Sequence, residues 1–427
     1  MATSDEHDNA HGSVDLRAEE VRRCPFDHYA ALRERAPVFE CDNLGLAVAS
    51  YDKLVELSRD NDNLSRLMDP VWGRRLMGIG PEPVSERVEA KLSRVHPSVP
   101  ALFTTDPPEH TRHRRLSADA FLPRRVRTME ELIRAQANAL VDAFVADGEA
   151  DLISQFAMNL PVAVVGGLLC VEERDAERFK RWSLDFIAGA QDFLDEEGRL
   201  RVADSIIGFQ EYFLPLLEAR REQPTDDMLS DLVNARLKDG TQLTIPEIMS
   251  ILMQFVSAGW QTTGNFICNS MVIILRRPEL QAQLTADPGR IPHVLEECLR
   301  FDPPFLWSPR KAKQPTEIEG RPVTEGEMVM FMWGAGCWDP DQFPEPDVFD
   351  PDRPNAKKHL AFGHGVHFCI GADLARLEAR ISIETLLTRL PGLALDVERS
   401  DLTKTDGFSH YGYRRAMVTF TPGAAAG

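Results

Sequence analysis

The sequence predicts a mainly α-helical protein with a core large enough to enclose a sizeable cofactor, and three observations carry the prediction. The first is size: 427 residues, 43% hydrophobic and 27% charged, can bury a core big enough to wrap a sizeable ligand. The second is a long apolar run from Thr244 to Leu275, capped at its start and stopped by Pro278. The third is a loop of glycine and aromatic residues, Phe362 to Gly371, that leads straight into an apolar helical stripe at Leu374, Leu377 and Ile381.

Composition narrows the function classes. A formal net charge of -19 argues against broad nucleic-acid binding, which needs a basic footprint. No apolar stretch approaches the roughly 20 residues of a spanning helix; the nearest, Leu160 to Val171, is bounded by Asn159 and Glu172. The amino terminus has neither the basic nor the apolar region of a secretory signal. These features predict a cytoplasmic protein with no nucleic-acid and no membrane partner. The seven cysteines are scattered without short-spaced pairs, which speaks against a disulfide framework or zinc ribbon. Residues 1–14 are polar and acidic and read as a disordered arm. Residues 15–427 contain no internal repeat and no Gly/Ser-rich linker and read as one domain.

Taken along the chain, Thr244-Ile245-Pro246-Glu247 fits a capping box, with Thr244 as N-cap and Glu247 returning to its amide. Roughly 30 helical residues at about 1.5 Å each span about 45 Å, so this apolar helix is expected to cross the middle of the molecule. Gly259 lies inside it, where glycine costs about 1 kcal/mol against alanine; a close approach to the backbone would explain it. Glu297 and Arg300 are spaced as an i,i+3 ion pair. From Asp339 to Pro354 the proline density forbids helix and sheet interior, which leaves an ordered meander or a long loop.

Cys369 falls at a loop-to-helix junction. Helix amino termini carry partial positive charge and free amides, which favour a thiolate. Gly365 and Gly371 can adopt strained angles and let a flat ligand approach the backbone. A thiolate held between aromatic walls is what axial ligation of haem iron requires. On the residues alone, three other readings stay open. Cys369 can be a small buried apolar residue. His359, His364, His367 and Cys369 can form a zinc site of uncommon spacing. Gly363 and Gly365 can begin a dinucleotide loop, although Phe368 stands where the third glycine belongs.

The segment Phe362-Gly363-His364-Gly365-Val366-His367-Phe368-Cys369-Ile370-Gly371 resembles the F-x-x-G-x-x-x-C-x-G signature of the haem-thiolate monooxygenases, the cytochromes P-450. Four further segments resemble that family in order and spacing. Glu297-Cys298-Leu299-Arg300 is similar to its E-x-x-R helix, with Arg353 in the place of the meander arginine. Asp106-Pro107-Pro108-Glu109-His110, with Arg114, resembles its haem-contacting helix. Ser308-Pro309-Arg310 resembles the strand whose arginine meets a haem propionate. Ala258-Gly259-Trp260-Gln261-Thr262-Thr263 resembles the oxygen-binding kink of the long helix.

The resemblance implies a mainly helical fold with a smaller β-rich part, and haem b between the long central helix and the helix that follows Cys369. It implies Cys369 as the iron ligand, His110, Arg114, Arg310 and His367 as propionate partners, and Phe362, Gly371 and Ala258 as further cofactor contacts. Glu297, Arg300 and Arg353 would form a structural triad behind the thiolate. Gly259, Gln261 and Thr262 would make up the oxygen-side machinery. The acid of the family's acid–alcohol pair is replaced here by Gln261, an amide that cannot titrate. That departure leaves two reactions in view: monooxygenation of a small organic substrate, and oxidative C–C or C–N coupling or nitration. A non-catalytic haem sensor or carrier is a third possibility of another class.

The chain has no complete dinucleotide loop, P-loop or iron–sulfur cysteine cluster. Electrons are therefore expected from NAD(P)H through an external ferredoxin reductase and ferredoxin. A local basic cluster (Arg112, Arg114, Arg115, Arg124, Arg125 and Arg127, with Lys357 and Lys358) is a candidate docking face. Candidate pocket walls are Trp72, Phe103, Phe255, Trp260, Phe305 and Phe408, which would suit an aromatic or otherwise flat natural-product intermediate; His410, Tyr411 and Tyr413 are candidate polar anchors.

Overall fold

A computed structural model describes residues 18, 21, 23–41, 45–67, 85–191, 194–405 and 409–424. The expected arm over residues 1–14, Trp72 and Phe408 lie outside the described residues. Helices dominate, with a smaller β part near the two ends of the chain. The main sheet holds β1 (Val38–Cys41), β2 (Gly45–Val48), β3 (Leu64–Ser65), β5 (Ser308–Ala312) and β8 (Met328–Phe331), in the order β1-β2-β8-β5-β3. Only β2 and β8 run parallel. In β3–β5 the register pairs Ser65 with Lys311. Continuing it by one residue brings Arg66 level with Arg310, so two arginines far apart in sequence arrive at one sheet edge. A second sheet joins β4 (Glu149–Asp151), β9 (Ala394–Leu395) and β12 (Met417–Thr419).

The helices that build the site are α1 (Tyr51–Leu57), α2 (Glu109–Ser117), α3 (Asn159–Leu168), α4 (Ile245–Gly259), α5 (Gln261–Leu275), α6 (Ile291–Phe301) and α7 (Ala372–Arg389). The capping box forms at the start of α4: Glu247 N–H donates to Thr244 Oγ1 at 3.4 Å, and Thr244 N–H donates to Glu247 Oε2 at 2.7 Å. The expected single long helix is broken at one residue, Trp260, whose ψ of -73° departs from helical values. The Trp260 indole N–H donates to Met158 O, which ties the break to the turn preceding α3. The close backbone approach expected at Gly259 occurs instead at Gly264. A Cβ there would lie 2.7 Å from Met158 Sδ and 2.9 Å from Ala157 O, whereas at Gly259 it would meet only Val165 at 3.4 Å.

The segment from Asp339 to Pro354 forms turns and no helix or strand, as the proline density requires. The stripe after Cys369 packs as α7, with Leu374 and Ile381 buried. No helix among the described residues is long and apolar enough to cross a membrane.

Candidate functional site

The Cys369 loop is pinned at both ends. Cys369 N–H donates to Phe362 O at 3.0 Å. Gly363 and Gly365 have φ of 70° and 73°, and a Cβ on Gly365 would collide with Ser58 O at the end of α1, so that turn demands glycine. His364 Nδ1 lies 2.9 Å from Ser58 Oγ, fastening the loop to the same helix end. Gly371 differs from expectation: its φ is -89°, and a Cβ there would meet only Cys369 Sγ at 4.0 Å. It is unstrained, and its value is the open space beside the sulfur.

Cys369 remains partly accessible because it faces that space, yet protein surrounds it deeply. Burial raises its thiol pKa, and the amide of Gly371 with the charges of Arg114 and Arg376 pull the other way without prevailing. A helix amino terminus alone therefore does not make the thiolate; a bound cation would, because a coordinating thiol is deprotonated outright. Among the described residues no group of three or more His, Cys, Asp and Glu side chains is arranged to hold a metal, which removes the zinc reading.

Across one edge of this space donors gather without acceptors. His110 and His367 meet at a tilt of 51° with ring centroids 4.2 Å apart, and all four of their ring nitrogens are buried without a partner among the described residues. Burial, then neighbouring cations, pushes His110 down to about 4 and His367 further; both are neutral near pH 7. Arg114 donates to Phe368 O at 2.7 Å. Arg310, 5% exposed, donates among the described residues only to Ser308 Oγ and Pro309 O, and burial drives its pKa well down. Arg66, which no sequence motif singled out, stands in the same group and lowers the pKa of both histidines. Only the β3–β5 register brings it there. Buried donors of this kind call for carboxylates.

At the α4–α5 break the helix surface stays open. Ala258 is exposed and Gly259, Trp260, Gln261 and Thr262 are partly so, although Val256 and Thr263 on either side are buried. An accessible patch in the middle of a core helix faces an interior opening. There Thr262 Oγ1 donates to Ala258 O at 2.7 Å. The arrangement can hold a flat ligand carrying carboxylates at one edge and a thiol-binding metal at its centre.

Behind the loop the charges around Glu296 and Glu297 are paired. Arg300 Nε and Nη2 each donate to Glu297 at 2.8 Å, and Arg353 Nε donates to Glu297 Oε1 at 3.1 Å. The remaining guanidinium N–H groups reach the meander carbonyls of Pro344, Glu345, Pro346 and Val348. Beside them Arg376 donates twice to Glu296. Burial would raise the Glu296 pKa, but His359 and Arg376 hold it at about 2. Phe362 lies under Arg376, whose guanidinium carbon is 4.6 Å from the ring centre.

Several expected wall residues have other occupations. Phe255 meets Phe121 edge-on at 4.8 Å, and the Trp260 indole is committed to Met158, so both serve packing. Phe305 bridges His410 through backbone and ring. Phe103 is partly buried, with its carbonyl accepting from Arg66. Tyr411 and Tyr413 are not free anchors: Tyr411 is buried with its hydroxyl on Arg23 O, and the Tyr413 ring lies 3.6 Å from Lys404 Nζ, which pairs with buried Asp302. The basic cluster is also smaller than its sequence suggests. Arg112 pairs with Glu247 and Glu109, Arg125 pairs with Asp226 and Asp231, and Arg114 faces inward. Arg115, Arg127, Lys357 and Lys358 stay exposed, and the Arg124 side chain lies outside the described residues.

Comparison with known proteins completes the site. The profile of the cytochrome P-450 family matches residues 50–291 and 290–392. The mycinamicin IV hydroxylase/epoxidase of Micromonospora griseorubida is 38% identical over 310 residues, 72% of this chain and 76% of that protein. The vitamin D(3) 25-hydroxylase of Pseudonocardia autotrophica is 36% identical over 404 residues, 94% of this chain and 95% of that protein. The solved structure of a cytochrome P-450 from Chondromyces apiculatus matches with a TM-score of 0.84 at 30% identity, covering 97% of this chain and 99% of that one.

Proposed function

The chain belongs to the cytochrome P-450 family and is a monooxygenase; from that premise we propose that it holds haem b through Cys369 and oxygenates a small organic substrate of secondary metabolism. The observation that carries the proposal is the unpaired donor edge beside the Cys369 loop. His110, His367, Arg114 and Arg310 present buried donors with too few acceptors, and two propionates would satisfy them. Haem, when bound, supplies the iron at which dioxygen is cleaved reductively, with thiolate donation favouring that cleavage.

The chain's own residues do the rest. Glu297, Arg300 and Arg353 lock the meander behind the loop and so hold the sulfur in place. Ala258 and Gly259 leave the distal face open, and Phe362 walls the thiolate side. Thr262 donates to Ala258 O, and its oxygen can still accept from a water; once the hydroxyl rotates off Ala258 O, it can give up its own proton towards the open face while the water's proton replaces it on the threonine oxygen. Gln261 can orient such a water but cannot carry the proton itself. The same amide favours a second reading, oxidative coupling of rings, which asks less of a proton relay. Thr262→Ala separates the two: oxygen insertion predicts a several-fold fall in product with a matching rise in peroxide, whereas coupling predicts little change in either.

Electrons are assigned to NAD(P)H through a ferredoxin reductase and a ferredoxin that docks on the thiolate side. Exposed Arg127, Lys357 and Lys358 support this reading. So does a cleft of about 260 Å³ between the Pro123–Thr128 helix, α6 and α7, with Arg127, Leu295 and Leu377 in its lining. Relatives named for hydroxylating mycinamicin IV and vitamin D(3) support a natural-product substrate with apolar bulk. The test is the purified protein expressed with a haem supply. A ferrous carbonyl adduct with the red-shifted band of sulfur ligation is expected, together with products one oxygen heavier when ferredoxin, reductase and NAD(P)H are added. A protein that takes up no haem overturns the proposal.

A further inference from the structure

The donor edge contains one cation more than its sequence motifs account for. Arg66 Nη1 and Arg310 Nη1 donate to the same oxygen, Pro309 O, at 3.1 and 2.9 Å. Two guanidinium groups thus crowd one neutral acceptor inside the protein, an arrangement that repels itself unless an anion joins it. Among the described residues, Asp106 is the one carboxylate that acts on both. It is already engaged by the Ser65 hydroxyl and, at 2.7 Å, by the backbone N–H of Arg66. Counting fixed charges alone, Arg66, Arg114 and Arg310 stand against Asp106, an excess of two positive charges. That excess equals the charge of two carboxylates on one ligand edge. Arg66 Nε also donates to Phe103 O at 3.3 Å, so its guanidinium is oriented by two carbonyls on separate segments before any ligand arrives.

We propose that Arg66 is a cofactor-binding residue: with Arg114 and Arg310 it neutralises the dianionic edge of the haem, while Asp106 sets the local charge at the two units that edge matches. The inference rests on the reading that Cys369 holds haem. It places in the site a residue with no motif of its own, brought there by strand pairing.

The test uses full-length wild type, Arg66→Gln and Arg66→Lys, each loaded with haem or with haem dimethyl ester, whose edge carries no charge. The measured quantity is the rate of release to excess apomyoglobin. The expected result is release of haem at least tenfold faster from Arg66→Gln than from wild type, release within about threefold from Arg66→Lys, and no difference among the three proteins for the ester. Equal acceleration of haem and ester release by Arg66→Gln would show a role in folding only and overturn the proposal, as would a wild-type rate for haem. Should Arg66→Gln fail to fold, Arg66→Lys decides: fast release of both ligands rejects the charge argument. If wild type binds neither ligand, the haem reading itself has failed, an outcome distinct from all of these.

Discussion

Two buried charge clusters flank the Cys369 loop, and they are built on opposite plans. Behind the loop, Glu297 meets Arg300 and Arg353, and Glu296 meets Arg376; each cation finds a carboxylate or a carbonyl. In front of it, among the described residues, Arg66 and Arg310 share Asp106, Arg114 donates to a carbonyl, and the four ring nitrogens of His110 and His367 have no partner. Glu296, Glu297, Arg300 and Arg353 are buried in the first, and His110 and Arg310 in the second, where Arg66, Arg114 and His367 are partly buried. A buried charge is costly unless compensated, so the first cluster is complete as it folds and the second is complete only with a ligand. On the proposed function, the difference separates residues that hold the architecture from residues that would hold the cofactor more sharply than sequence motif does.

The largest expected effect breaks the complete cluster. Glu297→Gln leaves Arg300 and Arg353 as uncompensated buried cations and should cost about 3–5 kcal/mol, read as a lower urea midpoint with or without haem. The same operation on the other cluster should have the opposite sign. Arg310→Met removes a cation that has no salt bridge among the described residues and only neutral hydrogen-bond acceptors, so the haem-free chain should gain about 1–3 kcal/mol while haem is released faster. A loss of haem-free stability in Arg310→Met would erase the distinction between the clusters.

Glu378 on α7 sharpens the comparison as an exception on the paired side. It is buried, its Oε2 has no partner, and burial alone raises its pKa to about 8. The folded state therefore binds a proton that the unfolded chain releases above its ordinary carboxyl pKa. Stability should fall as pH rises between the two values, and the loss should be complete above about 8. Glu378→Gln removes this term. Its melting temperature should match wild type near pH 4 and exceed it at pH 8.5. The smallest effect concerns the surface: Lys358→Glu should slow ferredoxin-driven turnover about threefold at low salt and hardly at all at 0.5 M, because surface charges are screened.

Much of the architecture was legible in the chain, for local reasons. The capping box at Thr244 and Glu247, the stop at Pro278, the unfolded geometry of the proline-rich meander and the turn at Gly365 each depend on residues a few positions apart. So do the motifs around Cys369 and Glu297, which mark a cytochrome P-450 before any contact is known. Properties that depend on long-range contact were not legible. The helix break at Trp260 is set by Met158, the tight glycine is Gly264 because Met158 packs there, and Arg112 and Arg125 are neutralised by acids more than 100 residues away. Above all, Arg66 enters the site through the pairing of β3 with β5. Sequence determines what an element is; the tertiary structure alone decides which charges remain unpaired, because pairing is a property of two segments and not of one.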